Sequence, residues 1–243
     1  MRLFVFAKRC AKEILRDPLN LVFGLGFPLV LMGLLYAIQA NVPTDLFTIT
    51  RLAPGLAVFG LSFMALFAAT LIARDRESAF LQRLYTTPLR PVEFILGYLL
   101  PMLPIALAQS LVTYLAAVLL GLPLTGQVLL AVVLQLPMSL LYLALGLLCG
   151  SVCNVKQVGG LCGALLTNLS AWLSGVWFEV ELVGGGFATV ARALPFLHAV
   201  ELERAVIAGA WSQVGGHLLV ILGYALLMLG LSVLLFLRQM RRA

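Results

Sequence analysis

Charge is the scarcest commodity in this chain of 243 residues: Asp, Glu, Lys and Arg make up 11% of it, against about 25% in a soluble globular domain. With 62% hydrophobic residues and a mean hydropathy of +1.07, a water-soluble fold is excluded. No soluble surface of this size hides so much apolar area, whereas a bilayer accepts it. Histidine is nearly absent. His198 and His217 show no metal-ligand spacing and no partner cysteine, so no metal site is expected. Cys10, Cys149, Cys153 and Cys162 lie in or beside apolar segments, with no His or acid near Cys149 and Cys153, and read as small hydrophobes in helix packing. No glycine-rich loop ends in Lys-Ser or Lys-Thr, so this chain cannot cradle ATP phosphates. Apart from Glu93 at the very edge of the third, the predicted spans also lack charged residues, which disfavours proton or sodium coupling and a membrane hydrolase. No catalytic residue and no cofactor are expected on this chain.

Long apolar runs are what the chain has. About 20 apolar residues cross a bilayer as a helix, and charges cut this sequence into pieces of that size. Six spans are predicted: 19–40, 52–73, 93–121, 126–152, 157–178 and 215–237. The third and fourth are separated only by the turn signal Gly121-Leu-Pro-Leu-Thr-Gly126. Positive loops stay in the cytoplasm. With both termini inside, the inner segments hold Arg2, Lys8, Arg9, Lys12, Arg16, Arg74, Arg76, Arg83, Arg90, Lys156, Arg238, Arg241 and Arg242. The outer ones hold only Arg51, Arg192 and Arg204. A multi-pass protein of the cell membrane with both termini cytoplasmic is expected. The net charge of +6 then reflects orientation and anionic lipid, and no nucleic-acid partner is needed. The charged first 17 residues predict that no cleavable leader is present.

Three stretches are too polar to span. Residues 2–17 read as an amphipathic helix stopped by Pro18. Leu3, Phe4, Ala7, Cys10, Ala11, Ile14 and Leu15 fall on one face, and Lys8, Arg9, Lys12, Glu13 and Arg16 on the other. A basic face of this kind lies in the membrane interface. The second stretch, from Arg74 to Pro91, is the longest inner loop. Ser78 to Tyr85 reads as a short helix with Phe80, Leu81, Leu84 and Tyr85 at adjacent positions, ended by Thr87-Pro88. A helix that short does not stand alone in water, so it has to dock on something. The third, residues 179–210, has apolar pieces too short to span and too hydrophobic for a free loop. A pair of short helices dipping into the outer leaflet is expected. Its polar residues Glu179, Glu181, Arg192, His198, Glu201, Glu203 and Arg204 read as a water-facing outer cap, some of which could line an exit.

Three ordered patterns resemble those of the type-2 ATP-binding cassette permeases. They are Arg76-Glu-Ser-Ala-Phe-Leu-Gln-Arg-Leu-Tyr-Thr-Thr-Pro88, followed by Leu96-Gly97; Leu173-Ser-Gly-Val-Trp-Phe178; and Leu194-Pro195, His198-Ala and Glu203-Arg204-Ala. The departures are Ala79-Phe80 where a Gly-Thr step is usual, and Gln82 where a Glu is usual.

The resemblance implies an all-α membrane protein: six transmembrane helices with an N-terminal amphipathic interface helix, a cytoplasmic coupling helix at 76–88 and outer re-entrant helices between helices five and six. It implies a permease subunit of an exporter, moving an amphiphilic or hydrophobic cargo, working as a homo- or heterodimer with two copies of a separate nucleotide-binding ATPase that carries ATP and Mg. Arg76, Glu77, Phe80, Leu81, Arg83, Leu84, Tyr85, Thr87 and Pro88 would then couple to the ATPase, with Lys8, Arg9, Lys12 and Arg16 on the interface helix. Helices one, two and five would line the path, where Gln39, Ser62, Thr70, Thr167, Asn168, Ser170, Ser174 and Phe178 are the candidates. The alternative is an ATP-independent transporter or channel.

Overall fold

The computed structural model describes residues 2–42, 47–78 and 91–240, and the described residues are almost wholly helical. Helix α1 (Arg2–Leu15) ends ahead of Pro18. There Asp17 caps α2 (Pro18–Gln39), its carboxylate accepting from the Asn20 N–H while Pro18 takes the first helical position. Helices α3 (Ile49–Glu77), α4 (Pro91–Leu119) and α5 (Gly126–Val152) follow. Between α4 and α5, Gly121 takes φ +108°, and the Leu122 N–H reaches the Ala117 carbonyl while the Gly121 N–H reaches Val118. That is a Schellman stop, which needs a residue free of a Cβ at its left-handed position.

Among the described residues, five helices are long and apolar enough to cross a membrane: the four from α2 to α5, and α11 (Trp211–Met240). The expected fifth span is not one uniform helix. Helix α6 (Val155–Val158) is capped by Asn154 and Gln157 in a reciprocal box, runs into a π-helical stretch Gly159–Leu166, and continues as α7 (Thr167–Leu173). In the wider turn the Thr167 hydroxyl donates to the Cys162 carbonyl five residues back. The helical path stops at Leu173, short of the expected residue 178, because Gly175 turns the backbone at φ +72°. The outer segment holds three helices instead of a pair: α8 (Val180–Val183), α9 (Gly185–Ala193) and α10 (Pro195–Ala208).

Helix α3 is the centre of the bundle. Most of its apolar length is buried, 83%, against 17% for α11, so α3 is wrapped by protein and α11 faces outward. Its closest neighbour is α5, for a reason visible in side-chain size. A Cβ on Gly146 would sit 2.2 Å from the Ala65 carbonyl oxygen, and one on Gly150 would sit 2.5 Å from that of Ala69. Two small residues one helical turn apart on each helix let the backbones touch, the packing that membrane helices use where the hydrophobic effect between them is absent.

Helix α1 docks differently from the expected wheel. Phe6, Ala7, Cys10 and Ile14 form the buried stripe, whereas Phe4 and Leu15 are 71% and 67% exposed. Phe6 sits edge-on to Phe94 and Tyr98 of α4, over Gly97, where a Cβ would collide with its ring at 2.2 Å. Ala7, Cys10 and Ile14 keep their expected place, and the stripe is rotated by a fraction of a turn toward the glycine that makes room for Phe6.

Candidate functional site

The Glu77 end of α3 gathers most of the connections. Where the charges suggested that the span ends at Ala73, the helix runs on to Glu77, so Arg76 and Glu77 belong to α3 and not to a separate coupling helix. Three successive side chains there point to three different parts of the fold. Asp75, 2% exposed, accepts from both terminal nitrogens of Arg9 on α1 at 2.5 and 2.6 Å, and from the Tyr98 hydroxyl on α4 at 2.8 Å. Arg76 donates through Nη1 to the Gly150 and Cys153 carbonyls at 3.0 and 3.2 Å, satisfying groups that the end of α5 leaves without helical partners. Glu77 accepts the Val155 N–H at 2.8 Å, at the first turn of α6.

The electrostatics follow from this burial. Burial works against the Arg9 charge, but the Asp75 hydrogen bonds and charge outweigh it and raise its pKa. Burial pushes the neighbouring Cys10 thiol up to about 12, so it stays a protonated, inert packing group. Glu13 pairs with Arg9 at 2.8 Å, and burial raises its carboxyl. Lys8, Lys12 and Arg16 are exposed on the same helix, free to meet headgroups or a partner surface. The expected coupling residues Phe80, Leu81, Arg83, Leu84, Tyr85, Thr87 and Pro88 lie outside the described residues.

A second constellation lies at the other end of the molecule. A cavity of about 900 Å³, within the usual size range of ligand sites, is lined by six of the seven expected cap residues: Glu179, Glu181, Arg192, His198, Glu201 and Arg204. The structure adds Arg51 and His217, which sequence separation kept apart from them. Arg51 pairs with Glu179 at 2.7 Å, Arg192 with Glu181 at 3.1 Å and Arg204 with Glu201 at 2.9 Å. The Glu181 carboxyl is lowered, first by its Arg192 hydrogen bond. Arg204 also donates to the Gly175 carbonyl at 2.8 Å, tying α10 to the turn that ends α7.

Glu203 departs from the water-facing expectation. It is fully buried, accepts from the Tyr114 hydroxyl of α4 at 2.5 Å, and its Oε1 has no protein partner. Burial pushes its carboxyl up to about 8, with the Tyr114 hydrogen bond opposing, so it is mostly neutral at pH 7. No sequence signal distinguishes it from Glu201 two residues earlier. Only helix phase does, since α10 turns one toward the cavity and the other into the bundle.

The polar candidates for a path are mostly occupied within this chain. Ser62 and Ser174 are buried and donate to the Phe59 and Ala171 carbonyls. Ser170 is buried against the Tyr142 hydroxyl at 2.5 Å, and Thr70 donates to the Leu66 carbonyl. Gln39 accepts the Phe47 N–H at 2.7 Å. Phe178 packs between Trp172 and Phe187, its ring tilted to both. Asn168 alone of the eight is exposed, beside Leu161, Leu165, Leu169 and Trp172 on the outer face of the π stretch and α7. Among the described residues, no group of three His, Cys, Asp or Glu is placed to hold a metal ion.

Residues 1–208 match the family model described as ABC-2 type transporter. No curated protein matches the chain.

Proposed function

The chain belongs to the ABC-2 type transporter family, the membrane components of ABC transporters, and on that premise we propose that it is the permease of an exporter, driven by a separate ATPase bound at residues 76–88. The observation that carries this reading is the run Asp75-Arg76-Glu77. It holds α1 and α4, the end of α5 and the start of α6 at the helix end that leads directly into that segment. A displacement applied just after Ser78 is thereby passed to four other helices at once, through buried or charge-assisted contacts and not through a loose loop.

Further parts of the reading rest on physical fit. The helical path from Val155 to Leu173 serves as the sixth span, with Cys162 the buried residue of its π stretch and Leu161 and Leu165 turned outward. Both termini then lie in the cytoplasm, where the basic residues concentrate. Asn168 donates to the Ala164 carbonyl at 2.7 Å yet stays exposed on an otherwise apolar face, which supports a second permease chain or a path wall against it, because a polar group facing lipid is costly. A mainly apolar lining with few polar groups suits an amphiphilic cargo.

The test is to reconstitute the permease with its co-purifying ATPase. Phe80→Asp or Leu84→Asp is expected to abolish ATP-driven transport while leaving the thermal stability of the membrane domain unchanged. Wild-type transport in either variant would overturn the coupling assignment.

A further inference from the structure

Two imidazoles that lie 19 residues apart in sequence meet in the outer cavity. His198 Nε2 is 2.9 Å from the Arg192 carbonyl oxygen. A carbonyl oxygen only accepts, so Nε2 carries the hydrogen. The Nδ1 of neutral His198 is then a bare lone pair, and it lies 2.8 Å from Nδ1 of His217, which has to donate. The contact therefore requires one proton between the two Nδ1 atoms, no more and no fewer. A further proton can be taken up at His217 Nε2 without disturbing it. One beyond that would place two N–H groups face to face, on two cations whose ring centres are 5.1 Å apart.

We propose that His198 and His217 form a one-proton latch, joining α10 to α11 across the outer cavity and letting go when the outer solution acidifies. The surroundings favour this count. The charged side chains lining the same cavity are Arg51 and Glu179, Glu181 and Arg192, and Glu201 and Arg204, from α3, the segment after α7, α8, α9 and α10. Each carboxylate already has a guanidinium within 3.1 Å, and α11 adds only neutral Gln213 besides His217. Glu201 favours a charge on His217 but is itself bound by Arg204, so among the described lining residues no unpaired carboxylate is left over to hold a second imidazolium. The hinge is also present. Gly209 sits at φ +71° between the two helices, with the Ala210 N–H on Ala205 and the Gly209 N–H on Val206, a Schellman turn that leaves the latch as a side-chain tie across it. Released, the outward-facing α11 can pivot at Gly209 against α10, which Glu203 and Arg204 hold in place, and reshape the cavity wall. The inference does not require the export reading; only the word outer rests on the orientation proposed above.

Because the chain has only two histidines, the latch can be read directly. The full chain, labelled with ¹⁵N-histidine and held in nanodiscs, is titrated from about pH 8 to about pH 4.5, spanning the ordinary imidazole range. The expected result is a split titration, the second proton entering at least about one pH unit below the first. In His217→Gln, His198 should titrate once. Independent titration of both rings at ordinary values, unaffected by the substitution, would overturn the shared proton. A second arm follows the distance between spin labels on Val190→Cys and Leu219→Cys, with the four native cysteines replaced by alanine. The distance is expected to lengthen or broaden in acid with both histidines present. It should stay fixed in His217→Gln, whose amide donates or accepts by rotating. A split titration with no change in distance, or a change that persists in His217→Gln, would overturn the latch.

Discussion

Arg9 and Asp75 face each other through two parallel hydrogen bonds at 2.5 and 2.6 Å, across 66 residues of sequence. The fork matches the two carboxylate oxygens, and the Tyr98 hydroxyl supplies a third donor. The two partners are not equally buried. Asp75 is sealed, whereas the Arg9 side chain is about one-third exposed.

That asymmetry predicts unequal costs. Arg9→Gln leaves a carboxylate in the bundle with one neutral donor, and is expected to destabilise by about 3 kcal/mol, as loss of one partner of a buried pair does. Asp75→Asn leaves Arg9 with Glu13 and access to water, and is expected to cost about 1 kcal/mol. Thermal unfolding in detergent gives the comparison, and protease cleavage of α1 should appear first in Arg9→Gln. Equal costs in the two variants would show that the pair is not held by the burial of Asp75.

Gly146→Ala is expected to cost about 1–3 kcal/mol, the range for overpacking a tight contact, because the new Cβ meets the rigid Ala65 carbonyl at 2.2 Å. Gly223→Ala on α11 meets nothing within 4 Å and should be neutral or slightly stabilising, since Ala is the better helix former. Melting temperatures of the two variants, prepared side by side, separate packing from propensity. A neutral Gly146→Ala would mean that α3 and α5 are not in backbone contact.

Glu203 predicts a pH dependence whose sign is fixed by its raised pKa. Below about pH 4.5 both folded and unfolded chains hold its proton, so the residue contributes no slope. Between 4.5 and about 8 the unfolded chain has released the proton and the folded one keeps it, so folding takes up a proton and stability falls as pH rises. The slope is at most about 1.4 kcal/mol per pH unit. Glu203→Gln should remove it, and should therefore exceed the wild type in stability at high pH more than at low pH. The observable is the difference in melting temperature between the two proteins across that range. A difference that does not vary with pH would rule out a neutral buried acid.

Different kinds of information located different parts of the candidate site. Arg76 and Glu77 stood out in the sequence because charge interrupts hydrophobic runs, and the same contrast picked out the outer cap. Asp75 did not stand out, since one acid in a charged loop looks solvated until its helix is seen to continue past Ala73. The Asn154–Gln157 box was available as a local capping signal ahead of the π stretch. The rotation of the α1 stripe was not available, because Phe6 is chosen over Phe4 by the gap above Gly97 on a different helix.

What the sequence determined alone is whatever depends on the amount and period of apolar residues. That covers the membrane setting and the long helices. These properties follow from transfer of side chains between water and lipid, which acts residue by residue. Only the tertiary structure decided which polar residues meet. It joined Arg9 to Asp75, carried Glu203 from an outer helix to Tyr114, and set His198 against His217. Each of these depends on helix phase and on the close approach that small residues permit, which are fixed by packing between distant segments and not by local composition.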